Sequence, residues 1–249
     1  MNRFILLILI FFAKEMWAIT GAEILSKLDT QMEIKTDITA KTKITQQKGD
    51  SVKIIECIYY RRDRDDSFLI IMTSPEVEKG NGYLKVGDNF WMYKRNTRTF
   101  QHINRDESIA GTDAKSGDLE KRKMSELYKV AVEGGKEKIS EEMLGKIPVY
   151  KVEIVAKVED VTYPKQILWI HRDNFLVLKA QSFSLSGTLM QSAYYLKYTE
   201  IDKRFVPLQQ IFVDEFEKGN KTILELSGIS FERIPDHVFT KAYLENLSK

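Results

Sequence analysis

GYLKVGDNFWMYKRNTRTFQH, residues 82–102, holds three short runs rich in aromatic residues, separated by the polar turn signals Gly87-Asp88-Asn89 and Arg95-Asn96-Thr97. With a two-residue turn at Asp88-Asn89, Val86 faces Trp91 and Leu84 faces Tyr93. A turn at Asn96-Thr97 sets Tyr93 against Phe100 and Trp91 against His102. Both turns then gather Leu84, Val86, Trp91, Tyr93, Phe100 and His102 on one face, with Lys85, Met92, Lys94, Thr99 and Gln101 on the other. A three-residue Gly-Asp-Asn loop would instead reverse one strand. The stretch reads as an antiparallel meander with an oily face, which serves either as core or as a surface for a greasy ligand.

The same grammar extends in both directions. MEIKTDITAKTKIT alternates from Met32: Met32, Ile34, Thr36, Ile38, Ala40, Thr42 and Ile44 face one way, and charged or polar residues face the other. Further strands are SVKIIECIYYRR, SFLIIMTS, MSELYKVAV, IPVYKVEIVAKV, KQILWIHRD, FLVLKAQSF, SAYYLKYTEI, PLQQIFVDEF and KTILELSGISFERI. Ile24, Leu25, Leu28 and Met32 recur at helical spacing in GAEILSKLDTQM, so one amphipathic helix precedes them. Residues 104–123 and the closing IPDHVFTKAYLENLS also read as helical, the latter with Val238, Phe239, Ala242 and Leu247 on one stripe. The expected fold is mainly β: a single curved antiparallel sheet of about eleven or twelve strands, which must curl or close, with a few short helices on its dry face.

Composition narrows the function. The 249 residues carry 30% charge, but the formal net charge is only +2, leaving no basic footprint for nucleic acid or anionic lipid. An apolar run from Phe4 to Ala13 follows Arg3; it is too short to span a bilayer as a helix and suits a secretory signal over residues 1–20, cleaved after Ala18 or Thr20, with an uncleaved N-terminal anchor as the alternative. The mature domain is then residues 21–249. The single cysteine, Cys57, stands among β-formers as a core residue and excludes an internal disulfide. It is far from the cleavage region, so lipidation of the chain itself is not expected. The three histidines show no metal-ligand spacing, and there is no Gly-x-Ser-x-Gly elbow or phosphate loop. The expectation is a protein without enzymatic activity, cofactor or metal.

Candidate residues for a hydrophobic cargo surface are the same-face sets of the aromatic strands: Phe68, Ile70 and Met72; Leu84, Val86, Trp91, Tyr93 and Phe100; Tyr150, Val152 and Ile154; and Trp169. Each set can equally be ordinary core. The charged, Gly-containing loop 104–123 suits either a movable cover or a solvated connector.

The ordered set SPEVEKGNGYLKVGDNFWMYKRNTRTFQHI, GTDAKSGDL and ISFERIPDHVFTKAYLENL resembles the LolA-like family of outer-membrane lipoprotein-sorting proteins, over roughly residues 21–247. The resemblance implies a half-open β-barrel whose concave face is covered by short helices. It further implies a periplasmic, monomeric carrier of lipoprotein acyl chains or lipid, an inner-membrane exporter and an outer-membrane acceptor as partners, and a gating arginine for which Arg61, Arg62 and Arg64 are adjacent candidates. A non-enzymatic sensing or protein-binding module on the same scaffold is the alternative. The physics suits a carrier: a sixteen-carbon chain left in water costs on the order of 12 kcal/mol.

Overall fold

The computed structural model describes residues 19–33, 36–104, 107–112, 123–201 and 204–248. The signal segment through Ala18, Ile34 of the first alternating run and most of the expected cover at 104–123 lie outside the described residues.

The first half of the chain supplies a helix α1 (Gly21–Met32) and strands β1 (Ile38–Lys48), β2 (Ser51–Arg62), β3 (Ser67–Ser74), β4 (Gly82–Val86), β5 (Asn89–Lys94) and β6 (Thr99–His102). A single helical turn, α2 (Met124–Leu127), leads into β7 (Tyr128–Val130), β8 (Val132–Glu133), β9 (Lys136–Glu137), β10 (Ile139–Leu144) and β11 (Ile147–Ala156). Then follow β12 (Lys165–His171), β13 (Val177–Phe183), β14 (Leu189–Ile201), β15 (Arg204–Asp214), β16 (Lys221–Ser230) and the closing helix α3 (Lys241–Leu247). One fourteen-stranded sheet runs in the order β10-β11-β12-β13-β14-β15-β16-β1-β2-β3-β4-β5-β6, with β7 paired to β11; β8 and β9 form a separate hairpin. The sheet has two ends, β6 and β10, and is not closed into a barrel. Every ladder in it is antiparallel.

Alternation explains β1: Ile38, Ala40, Thr42 and Ile44 are buried on the concave face, while Lys41 and Lys43 are exposed. The strand begins at Ile38 rather than at Met32, because Met32 ends α1. That helix starts on a capping box. The Thr20 hydroxyl accepts from the Glu23 amide and the Glu23 carboxylate accepts from the Thr20 amide, satisfying two donors that a helix start otherwise leaves open. Ile24, Leu25 and Leu28 then press into the concave face against Val152, Ile154, Leu168, Ile170 and Phe212.

Strand β3 behaves differently. Ser67 to Met72 is buried without alternation, since both its faces are covered. Phe68, Ile70 and Met72 belong to the concave side, with Ile55, Cys57, Tyr83 and Phe90. Leu69 and Ile71 belong to the convex side, under Ile234, Val238, Phe239 and Leu244 of the C-terminal segment.

In the quoted stretch Tyr93 pairs with Phe100 and Trp91 with His102, as expected. The first hairpin turns at Gly87-Asp88, not Asp88-Asn89, so Leu84 pairs with Trp91 and Gly82 with Tyr93. Gly87 takes a left-handed φ of +55°, which glycine adopts without strain. A shift of two positions keeps every side chain on its expected face.

Two expectations of secondary structure are corrected, one a strand and one a helix. Residues 124–127 are α2 rather than strand. The C-terminal helix is split: Asp236–Phe239 is a 3-10 turn, and Thr240 caps α3 through its hydroxyl, which accepts from the Tyr243 amide at 3.2 Å. The break rotates the stripe, so Leu244 is fully buried while Ala242 and Leu247 are exposed.

Candidate ligand-binding cavity

The fold makes a hollow where the concave face curls under α1. A cavity of about 350 Å³ lies there, within the usual range of ~300–1,000 Å³ for small-molecule sites. Leu28 and Gln31 of α1 and Met124 and Leu127 of α2 form one side; Ile38, Thr42, Ile44, Cys57 and Ile70 form another. Leu168, Ala180, Ala193, Leu224 and Leu226 complete an apolar floor. Ala180 and Ala193 are cross-strand partners, and their small side chains leave room between β13 and β14. Lys197, with φ +53°, interrupts the alternation of β14, so both Tyr195 and Tyr198 reach the cavity.

Polar side chains line the same space. Arg61 faces it, with its guanidinium paired to Asp63 at 2.5 and 3.1 Å. Burial pulls the Arg61 pKa down, but Tyr59 and Asp63 outweigh it and hold the charge in place. Burial raises Tyr59, only partly offset by Arg61. The Tyr198 hydroxyl donates to the Val177 carbonyl at 2.5 Å, and burial pushes its pKa up as well. Burial pushes the Cys57 thiol up to about 12, far from the thiolate a nucleophile needs. Among the described residues no group of His, Cys, Asp and Glu is placed to hold a metal.

The twelve candidate residues divide between the two faces. Phe68, Ile70, Met72, Tyr150, Val152 and Ile154 are on the concave side. Of these Ile70 lines the cavity. Phe68 and Met72 pack in the neighbouring cluster closed by Ile109, whose segment is held where the Ala110 amide donates to the Tyr83 hydroxyl at 2.7 Å. Val152 and Ile154 are packed under α1, and Tyr150 stacks on Phe175.

Leu84, Val86, Trp91, Tyr93, Phe100 and Trp169 lie on the convex side, which corrects the expectation of one continuous wall. Leu84 and Tyr93 are buried under Val238, Phe239 and Leu244, with Trp91 and Phe100 packed beside them. The Lys241 ammonium stands 4.2 Å from the Trp91 ring. Val86, at the hairpin tip, is exposed. Trp169 sits opposite Lys151 and Lys179, whose ammonium groups lie 5.7 and 4.4 Å from its ring. Periodicity grouped side chains by face correctly but carried no label for which face curls inward.

The three adjacent arginines also separate. Arg61 faces the cavity, whereas Arg62 binds Asp65 and Asp236 at 2.6 and 2.7 Å and lies 4.3 Å from the Phe239 ring. Arg64 joins it at Asp236. These outer ion pairs fasten the C-terminal segment, aided by Asp37, whose carboxylate accepts from the Ile234 amide at 2.7 Å. The reading of the sequence missed Thr42, Ala180, Ala193, Tyr195, Tyr198, Leu224 and Leu226 as cavity residues. Their signal was present in the alternation of β1 and β16, but alanines and threonines do not announce a hollow.

A family model described as an uncharacterised protein matches residues 64–246. No curated protein matches the chain in sequence. Solved structures do match in fold. A domain from Vibrio parahaemolyticus described as outer-membrane lipoprotein-sorting is 17% identical, with a TM-score of 0.80 over 90% of this chain and 98% of its own. A LolA superfamily protein from Nitrosomonas europaea is 22% identical, with a TM-score of 0.74 over 91% of this chain and 100% of its own. A DUF1329 family protein from Desulfovibrio piger is 19% identical, with a TM-score of 0.80 over 90% of this chain and 97% of its own.

Proposed function

This chain belongs to the family of uncharacterised proteins whose model matches residues 64–246, and from the fold it shares with a LolA superfamily protein we propose that it carries lipid: the acyl chains of a lipoprotein or a free lipid enter the cavity under α1 and are moved between membranes. The observation that carries this reading is the unfilled, mainly apolar hollow of about 350 Å³ in a sheet that has ample side chains to fill it. Small closed barrels pack their interiors; here Ala180 and Ala193 stand where larger residues would plug the space.

The chemistry of carriage is a balance of transfer free energies. Each methylene moved from water into an apolar wall gains about 0.8 kcal/mol, so a cavity that shelters part of a chain lowers the barrier to leaving a membrane. Release needs the wall to open, and α1 is the movable part by construction. It touches the concave face through Ile24, Leu25 and Leu28, and the Asp29 carboxylate accepts from the Met124 and Ser125 amides at 2.6 and 3.0 Å. At its start the Gly21 amide donates to the Glu137 carboxylate at 2.7 Å, so a few side chains and these three hydrogen bonds hold it, where a strand of the sheet is held by a full ladder.

The action is non-enzymatic and takes place in the periplasm, with an inner-membrane donor and an outer-membrane acceptor; no described helix is long and apolar enough to cross a membrane. The test is a transfer assay. Donor vesicles hold a labelled phospholipid or a triacylated peptide, and the label is followed into the protein fraction and into acceptor vesicles. Protein-dependent movement of either label supports carriage; none of either refutes it.

A further inference from the structure

The cavity wall is not uniformly greasy, and its polar atoms are unevenly provided for. Tyr198 is bonded to Val177, and Arg61 is neutralised by Asp63. Two others have no hydrogen bond of normal geometry: Thr42 Oγ1 and Gln31 Oε1. Thr42 is only 9% exposed. The neighbouring Cys57 thiol is a weak donor and acceptor and does not replace a proper partner. Both residues line the cavity, one from β1 and the other from the end of α1.

From this we infer that the cargo is a neutral lipid bearing a hydroxyl group inside the cavity, rather than a bare alkyl chain or a carboxylate. The inference rests on the carrier reading and names its ligand class. Buried polar groups are nearly always served. Water can serve these two in the free protein, but a ligand that displaces water without replacing its hydrogen bonds binds more weakly. A hydrocarbon would leave both atoms bare. Gln31 Oε1, as the amide stands, accepts, so a carboxylate would meet it acceptor to acceptor unless the amide turned over; Thr42 Oγ1 donates and accepts. A hydroxyl suits both. Nor does the site demand an anion, since the nearby guanidinium already has its carboxylate.

The test compares three ligands of one chain length in displacing a bound hydrophobic fluorophore from the full protein: 1-dodecanol, dodecane and dodecanoate. One recovered hydrogen bond corresponds to dodecanol binding about fivefold to tenfold more tightly than dodecane. Thr42→Val removes the hydroxyl at nearly constant shape and should narrow that preference, while Thr42→Ser should keep it. Gln31→Met, on a different element, should narrow it independently. Equal displacement by dodecanol and dodecane, tightest binding by dodecanoate, or a preference surviving both Thr42→Val and Gln31→Met overturns the inference while leaving the carrier reading standing. Failure of all three ligands to displace the fluorophore removes the carrier reading and this inference together.

Discussion

Ala193→Phe places a benzyl group in the cavity floor. Ala193 is buried, faces Ala180 across the strand pair and lines the void. The new ring occupies room that roughly six methylenes of a guest would fill. At about 0.8 kcal/mol each that is a loss of about 5 kcal/mol of cargo affinity, more than a thousandfold in Kd by order of magnitude, since about 1.4 kcal/mol is tenfold. Folding responds in the opposite sense. Burying the ring in a pre-existing hollow gains about 2 kcal/mol, against an overpacking cost of about 1–3 kcal/mol, so stability should stay within about 2 kcal/mol of the parent. The assay pairs urea unfolding with displacement of a hydrophobic fluorophore by a fatty alcohol. The reasoning requires a folded variant that no longer takes up the alcohol. A variant as stable as the parent and equally competent for uptake would show that cargo does not sit under α1.

Other consequences follow from the two-faced sheet. Phe239→Ala opens the convex cluster and should destabilise by about 3–5 kcal/mol while leaving the alcohol affinity of the remaining folded protein unchanged; a parallel loss of affinity would mean that the faces are coupled. Gly82→Ala is expected to be costly, because its Cβ would come within 2.5 Å of the Ile70 carbonyl oxygen and 2.7 Å of Leu244 Cδ1; an unchanged midpoint in urea would contradict this packing. Acid should weaken the fold through Asp65 and Glu78. Burial pushes Asp65 up, but the hydrogen bond and charge of Arg62 outweigh it and hold the carboxyl low; the hydrogen bond from Lys53 holds Glu78 low. Folded values below the unfolded ones mean stability fully present above about pH 4 and lost as pH falls through the folded values. The urea midpoint should therefore begin to drop below about pH 4 and keep falling as pH passes the lowered folded values, and a flat profile would refute it.

How far the sequence disclosed this arrangement depends on the element. The paired turns around Trp91 fixed which residues share a face, and the two-position shift of the first hairpin left those sets intact. The alternation of Ile38 to Ile44 marked the concave side of β1. Face membership does not reveal curvature, and so Leu84, Trp91, Tyr93 and Phe100 were expected in the groove that they turn away from. One clue was legible. FLIIM in β3 is apolar at every position, the pattern of a strand covered on both faces, which requires a layer outside the sheet as well as within it. The C-terminal segment is that layer. The hollow left the weakest trace, because it is made by small residues such as Ala180 and Ala193, and a void is a property of what side chains fail to reach.

The central claim is that the space under α1 holds a lipid in the working protein. Native purification from an envelope-bearing host, followed by mass spectrometry of extracted lipids, tests it most directly. The account predicts a lipid retained in near-stoichiometric amount by the parent and absent from Ala193→Phe. Parent protein that emerges free of lipid, and that takes up none when incubated with vesicles, would contradict it.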